Sequence, residues 1–217
     1  MTLKTDAYQI GLDSTTDTNN FLLQTNGAGN LHIHKGSSGT GPVVLRVKSD
    51  NTVEIPNGLI GGLTSGTAQN TTSGTSIDFT GIPSWAKRIT VMFNGVSTNG
   101  TSNLLVQIGS SSIITSGYYS QSNSFAGAGA ASYSGVSSTA GFIVFDTVAA
   151  YSLMGTMILH NVSGNNWVSN HTIGGSDNRF GGGTSPTLSG TLDRLRLTTV
   201  SGTDTFDAGS VNIMYEG

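Results

Sequence analysis

Cysteine is absent from the 217-residue chain, which excludes a disulfide framework and any thiolate metal site. Charge is scarce as well. Nine basic and twelve acidic residues, 10% of the chain, give a net charge of −3 with no basic run. A protein that neutralises phosphates needs such a run, so no nucleic-acid partner is expected. No apolar stretch reaches the roughly 18 residues of a membrane-spanning helix, and Met1-Thr2-Leu3-Lys4-Thr5-Asp6 leads into polar sequence rather than an apolar export signal. The expectation is a soluble chain without membrane insertion. Long apolar stripes at helical spacing are missing too.

What remains is β-sheet material. Thirty-one glycines with many Ser, Thr and Asn suggest short strands joined by many turns, while hydrophobic residues, 35% of the chain, recur in strand-length bursts that argue against disorder. The fold class expected is all-β: a small N-terminal β module over residues 1–56, a neck or linker over 57–75, and a C-terminal jelly-roll-like antiparallel β-sandwich over 76–217.

Within the first module, strands are expected near Tyr8 to Leu12, Phe21 to Thr25, Leu31 to His34, Val43 to Val47 and Val53 to Ile55. Turn residues separate them, including Asn26-Gly27-Ala28-Gly29, Gly36 to Gly41 and Ser49-Asp50-Asn51. Strands this short bury little alone, so partner chains are expected to complete the core. His32 and His34 lie two apart on one strand face, and threefold assembly would gather six imidazoles at an axis, a set suited to an octahedral metal. The alternative is that both are ordinary strand residues. No cofactor is expected. In the neck, Leu59, Ile60 and Leu63 are more apolar than a flexible tether needs, and three chains winding together would hide them.

The stretch Ser76-Ile77-Asp78-Phe79-Thr80-Gly81-Ile82-Pro83-Ser84-Trp85-Ala86-Lys87-Arg88-Ile89-Thr90-Val91-Met92-Phe93, continued through Asn94-Gly95-Val96, reads as a β-hairpin opening the sandwich, with Trp85 closing one end of the core. Together with the ending Asp204 to Gly217, it resembles the C-terminal domains of bacteriophage tail fibres and related virion appendages. The segments Phe21–Thr25, Asn30–Gly36 and Val43–Val47 resemble, more loosely, the module that precedes a fibre head. These resemblances imply a homotrimer located in the virion and made in the bacterial host cytoplasm. The N-terminal end would dock on other virion proteins, and the head would touch a bacterial surface glycan or outer-membrane protein.

Three segments read as loops carrying aromatics among Gly, Ser and Asn: Gly117 to Gly135, Asn165 to His171, and Asp177 to Gly183. Flat rings stack on sugars or apolar patches and amides bond hydroxyls. The candidate receptor residues are Tyr118, Tyr119, Tyr133, Trp167, Asn170, His171, Arg179 and Phe180, each with a competing role in core or sheet. Catalysis is not expected. No Gly-x-Ser-x-Gly, His-Glu-x-x-His or phosphate-binding glycine loop occurs, and only Asp177 with Asp204 or Asp207 offers a carboxylate pair. The readings left open are a receptor-binding tail fibre, a capsid-mounted fibre or decoration, and a free lectin.

Overall fold

Alternating sequence becomes strand throughout. The computed structural model describes residues 8–10, 21–25, 29–35, 43–50, 52–55, 62–126, 132–149 and 151–217, and among them there is no helix. The chain forms two compact units, Met1–Ile60 and Gly61–Gly217.

In the first unit, β1 (Tyr8–Ile10), β2 (Phe21–Thr25), β3 (Leu31–Lys35), β4 (Val43–Val47) and β5 (Val53–Glu54) form one antiparallel sheet in chain order. The β4–β5 turn closes through Lys48 N–H donating to the Thr52 carbonyl at 2.8 Å. Asp50 Oδ1 accepts from the Thr52 amide at 2.9 Å, the side-chain capping that makes Asp a turn former. The 36–41 turn, Gly11 and Leu12, and Leu59 and Ile60 of the expected neck lie outside the described residues.

The second unit contains β6 (Thr64–Ser65), β7 (Gln69–Asn70), β8 (Ser76–Thr80), β9 (Arg88–Thr98), β10 (Leu104–Ser110), β11 (Ser112–Ile113), β12 (Tyr119–Ala126), β13 (Ser132–Ser138), β14 (Phe142–Val144), β15 (Leu153–Ser163), β16 (Asn166–Gly174), β17 (Asn178–Thr184), β18 (Arg194–Thr199) and β19 (Phe206–Glu216). They make two antiparallel sheets. The smaller runs β11-β10-β18-β8, with β14 also on β10, and the larger runs β13-β12-β17-β16-β15-β9-β19-β6, with β7 also on β19. The inner faces of both sheets contribute to one core, in the manner of a β-sandwich.

Two expectations change here. Ser76–Thr80 and Arg88–Thr98 do not pair as a hairpin: β8 pairs with β18, whereas β9 lies between β15 and β19 in the other sheet. Residues 81–87 are thus a corner between layers. Buried Ile82 and Ala86 anchor that corner, and Ile77 and Phe79 face the Ile89, Val91 and Phe93 row from the opposite sheet. Trp85 is only partly buried, its ring meeting Tyr215 edge-on at 5.8 Å. The stretch expected as a neck also enters the sandwich. Ser65 registers with Met214, and Gln69 with Val211, so β19 has no bare edge at those positions.

Strand β18 displays the period-two logic. Leu195 and Leu197 are fully buried, while Arg196 between them turns outward and meets Asp78 through two bonds of 2.7 Å. Leu197→Ala should lower unfolding free energy by about 3 kcal/mol, since it removes buried methyl groups and leaves a cavity. Arg196→Ala should cost under about 1 kcal/mol, because an exposed ion pair contributes little. Urea unfolding of the two variants checks the contrast, and equal losses would contradict this assignment of faces.

Candidate functional site

The segments expected as aromatic loops are strands. Residues Tyr119–Ala126 and Ser132–Ser138 pair as β12 and β13, and Asn166–Gly174 and Asn178–Thr184 pair as β16 and β17. Residues 127–131, the centre of the first expected loop, lie outside the described residues. Pairing fixes which candidates meet solvent, because neighbouring residues of a strand point to opposite faces.

Tyr118, Trp167, His171 and Arg179 are therefore corrected: all four are interior, from 0% to 3% exposed. The Tyr118 hydroxyl accepts the Ile108 amide at 2.9 Å and has the Ile114 and Ile108 carbonyls at 3.1 and 3.2 Å as acceptors for its one proton, and its ring packs edge-on against Phe142. Burial pushes the Tyr118 hydroxyl up to about 12. Trp167 belongs to the core.

His171 reaches across β17 to Ser122 Oγ of β12, with Nε2 at 2.9 Å. This is feasible because position 181 is glycine: a Cβ there would come within 2.7 Å of His171 Cε1 and 2.1 Å of the Gln121 carbonyl. Ser122 Oγ also accepts the Phe145 amide at 3.0 Å. His171 Nδ1 has no hydrogen-bond partner among the described residues. A serine nucleophile needs access to a substrate, and a histidine base needs an orienting group. Ser122, at 0% exposure, has no such access, so the pair acts as a brace.

Beside it lies a second polar group. Arg179 Nε donates to the Phe145 carbonyl at 2.6 Å and Nη1 to the Asp177 carbonyl at 3.0 Å, with the guanidinium 5.3 Å from the centre of the Tyr151 ring. Asp146, 2% exposed, donates its backbone amide to Asn103 Oδ1 at 2.7 Å. The remaining carboxylates of interest are separately engaged: Asp177 Oδ2 accepts from Ser124 Oγ, while Asp204 holds the Ser102 amide and the Ser201 hydroxyl. Among the described residues no three His, Cys, Asp or Glu side chains gather as a metal site. His32 registers against Gln24 and Arg46, and His34 against Leu22 and Val43.

The outward residues form a different surface. Tyr119, Tyr133, Phe180 and the unforeseen Phe125 are 67%, 66%, 45% and 43% exposed, all on the outer face of the larger sheet. Phe125 stands opposite Tyr133 across β12–β13, Asn123 opposite Phe180, and Gln121 opposite Gly182, which in turn stands opposite Asn170. An open depression of about 370 Å³ lies here, lined by Gln121, Asn123, Tyr133, Gly135, Val136 and Ser137. A larger opening of about 490 Å³ sits at the other end of the molecule's second unit, by Gln69, Asp78, Thr80 and Tyr215. Its carboxylate is already taken by Arg196, and its Gln69 amide donates to the Asp78 carbonyl at 2.7 Å.

Two separate buried ionisable groups give a pH prediction. Burial raises Asp146 to about 6, so its contribution to stability is full below about 4 and lost as pH rises through 6. Burial lowers His171 to about 4, so its contribution is full above about 6.5 and lost as pH falls through 4. Between pH 4 and 6 the two slopes oppose and cancel. Asp146→Asn should expose the histidine slope, with unfolding free energy rising relative to wild type by up to about 1.4 kcal/mol per pH unit. His171→Gln should give the reverse slope. Urea unfolding at pH 4, 5 and 6 checks both.

No family model matches the chain, and no curated protein or solved structure matches it.

Proposed function

We propose that this chain is a bacteriophage virion fibre protein, a homotrimer whose jelly-roll-like C-terminal sandwich attaches to the surface of a bacterial host. The observation that carries the reading is an outer sheet face poor in charge and rich in exposed apolar groups. From Ile89 to Phe145 the sequence has no Asp, Glu, Lys, Arg or His. On the β15-β9-β19 part of that face stand Met154, 52% exposed, with half-buried Met92, Ile158 and Met214. Leu63, from the stretch expected as a neck, is 66% exposed. Exposed apolar groups gathered on one sheet face favour association, and identical copies that cover them are the simplest remedy.

Attachment then works through multivalency. Three shallow sites held on one rigid axis raise the effective concentration at the second and third contacts, so weak individual binding becomes firm adhesion. The partners are other copies of the chain, virion proteins at the N-terminal end, and a glycan or outer-membrane protein on the host. The chain acts by binding, without chemistry on its receptor and without a cofactor. The resemblance of residues 76–93 and 204–217 to fibre heads supports the same assignment.

Sedimentation of the full chain at micromolar concentration should give three times the 22.3-kDa chain mass. Met154→Glu, a change on the surface of one chain, should weaken that association because it places a charge in the shared apolar area. A compact monomer at that concentration contradicts the proposal.

A further inference from the structure

The outer face splits into two chemically distinct parts, and the part on β13, β12 and β17 has its own recognition chemistry. Building on the fibre reading above, we infer that this quadrant is a binding site for a neutral glycan, with Tyr133, Phe180 and Phe125 as stacking platforms and Gln121 and Asn123 as hydroxyl-binding amides.

Charge is the first ground. None of the outward residues of β12, β13, β17 or the adjoining half of β16 is acidic or basic: Arg179 and His171 both turn inward. A sugar carrying carboxylate, phosphate or sulfate would find no cation here to offset its lost hydration. Neutral pyranoses present the opposite combination, apolar C–H faces with hydroxyl rims. Exposed rings accept the faces, and side-chain amides, with both donors and an acceptor, serve the rims.

Shape is the second ground. Gly135 projects no side chain, so Tyr133, Gln121 and Asn123 border a depression instead of a continuous layer, with Phe180 on the next strand beyond Asn123. Its volume of about 370 Å³ falls within the range of small-molecule sites, roughly 300–1,000 Å³. The groups that line it are already oriented. The Tyr133 hydroxyl donates to Asn123 Oδ1, leaving the Asn123 amide N–H groups for a ligand, and Gln121 Nε2 donates to the Tyr119 hydroxyl at 3.4 Å. Such fixed side chains lose little freedom on binding. The Met92, Met154 and Ile158 area is the more apolar of the two and the better suited to covering by a second copy of the chain.

The labelled full chain is applied to an array of bacterial-polysaccharide fragments that sets neutral hexose and N-acetylhexosamine oligosaccharides beside uronic-acid-containing and phosphorylated ones. Binding should be confined to neutral members. Tyr133→Ala and Phe180→Ala should each weaken it by about tenfold, while Tyr133→Phe, which keeps the ring, should retain it. Unchanged thermal midpoints will show that the variants are folded. Binding to no neutral member, preference for acidic ones, or undiminished binding by both alanine variants overturns the site; so does loss of self-association in those variants, which would make the quadrant a contact between copies. The two readings fail separately. A trimer that adheres to bacterial cells without binding any neutral glycan removes only the glycan assignment, whereas a monomer that binds neutral glycans removes only the fibre.

Discussion

The second unit depends on how the free edge of one short strand is satisfied. Strand β14 pairs with β10 on one side, and its other side faces the protein interior, where a bare amide costs about 1–3 kcal/mol. Serine hydroxyls of β12 supply the missing bonds. Ser120 Oγ accepts the Ile143 amide at 3.1 Å and donates to the Gly141 carbonyl at 2.7 Å, and Ser122 Oγ accepts the Phe145 amide. Side chains thus continue a ladder that backbone alone does not close, and they tie the small sheet to the large one. Behind them, His171 and Arg179 fill the interior with braced polar groups where the neighbouring strands place Leu and Val.

That constraint determines the outer surface. Once Ser120, Ser122 and Ser124 must point inward, period two obliges Tyr119, Gln121, Asn123 and Phe125 to point outward. The large residues of β12 are exposed because the small hydroxyls are needed beneath. The same inversion runs on through β17, where Arg179 is wholly buried and Phe180 is exposed. An aromatic, uncharged face is therefore built into the packing, and the recognition role proposed for it uses a surface the fold already has to present.

The sequence reading was accurate wherever hydrophobicity and burial coincide. Leu195 and Leu197, Val211 and Ile213, and the Ile89-Val91-Phe93 row alternate plainly and all lie in the core. The described strands of the N-terminal unit follow their apolar bursts, and the β4–β5 turn falls at Asp50. It was misleading where the rule inverts. Tyr119 to Phe125 alternates as strictly as any strand here, but its serines are the inward set, so weighing apolar residues gave a loop. Tyr118 and Tyr119 look alike in sequence, but one step along the chain moves a side chain from solvent to core. The assumed hairpin at 76–96 failed for another reason: local alternation identifies strands but not the layer each one joins, and only the buried corner residues Ile82 and Ala86 hint at a change of sheet.

The account holds that the outer face of the larger sheet is divided, its Met92, Met154, Ile158 and Met214 part shared among copies and its ring-bearing part left open. Cryo-electron microscopy of the assembled chain tests this most directly. The account predicts three subunits about one axis with the methionine-rich part covered and Tyr133 and Phe180 facing solvent. A single subunit, or an assembly with those two rings sealed between copies, would contradict it.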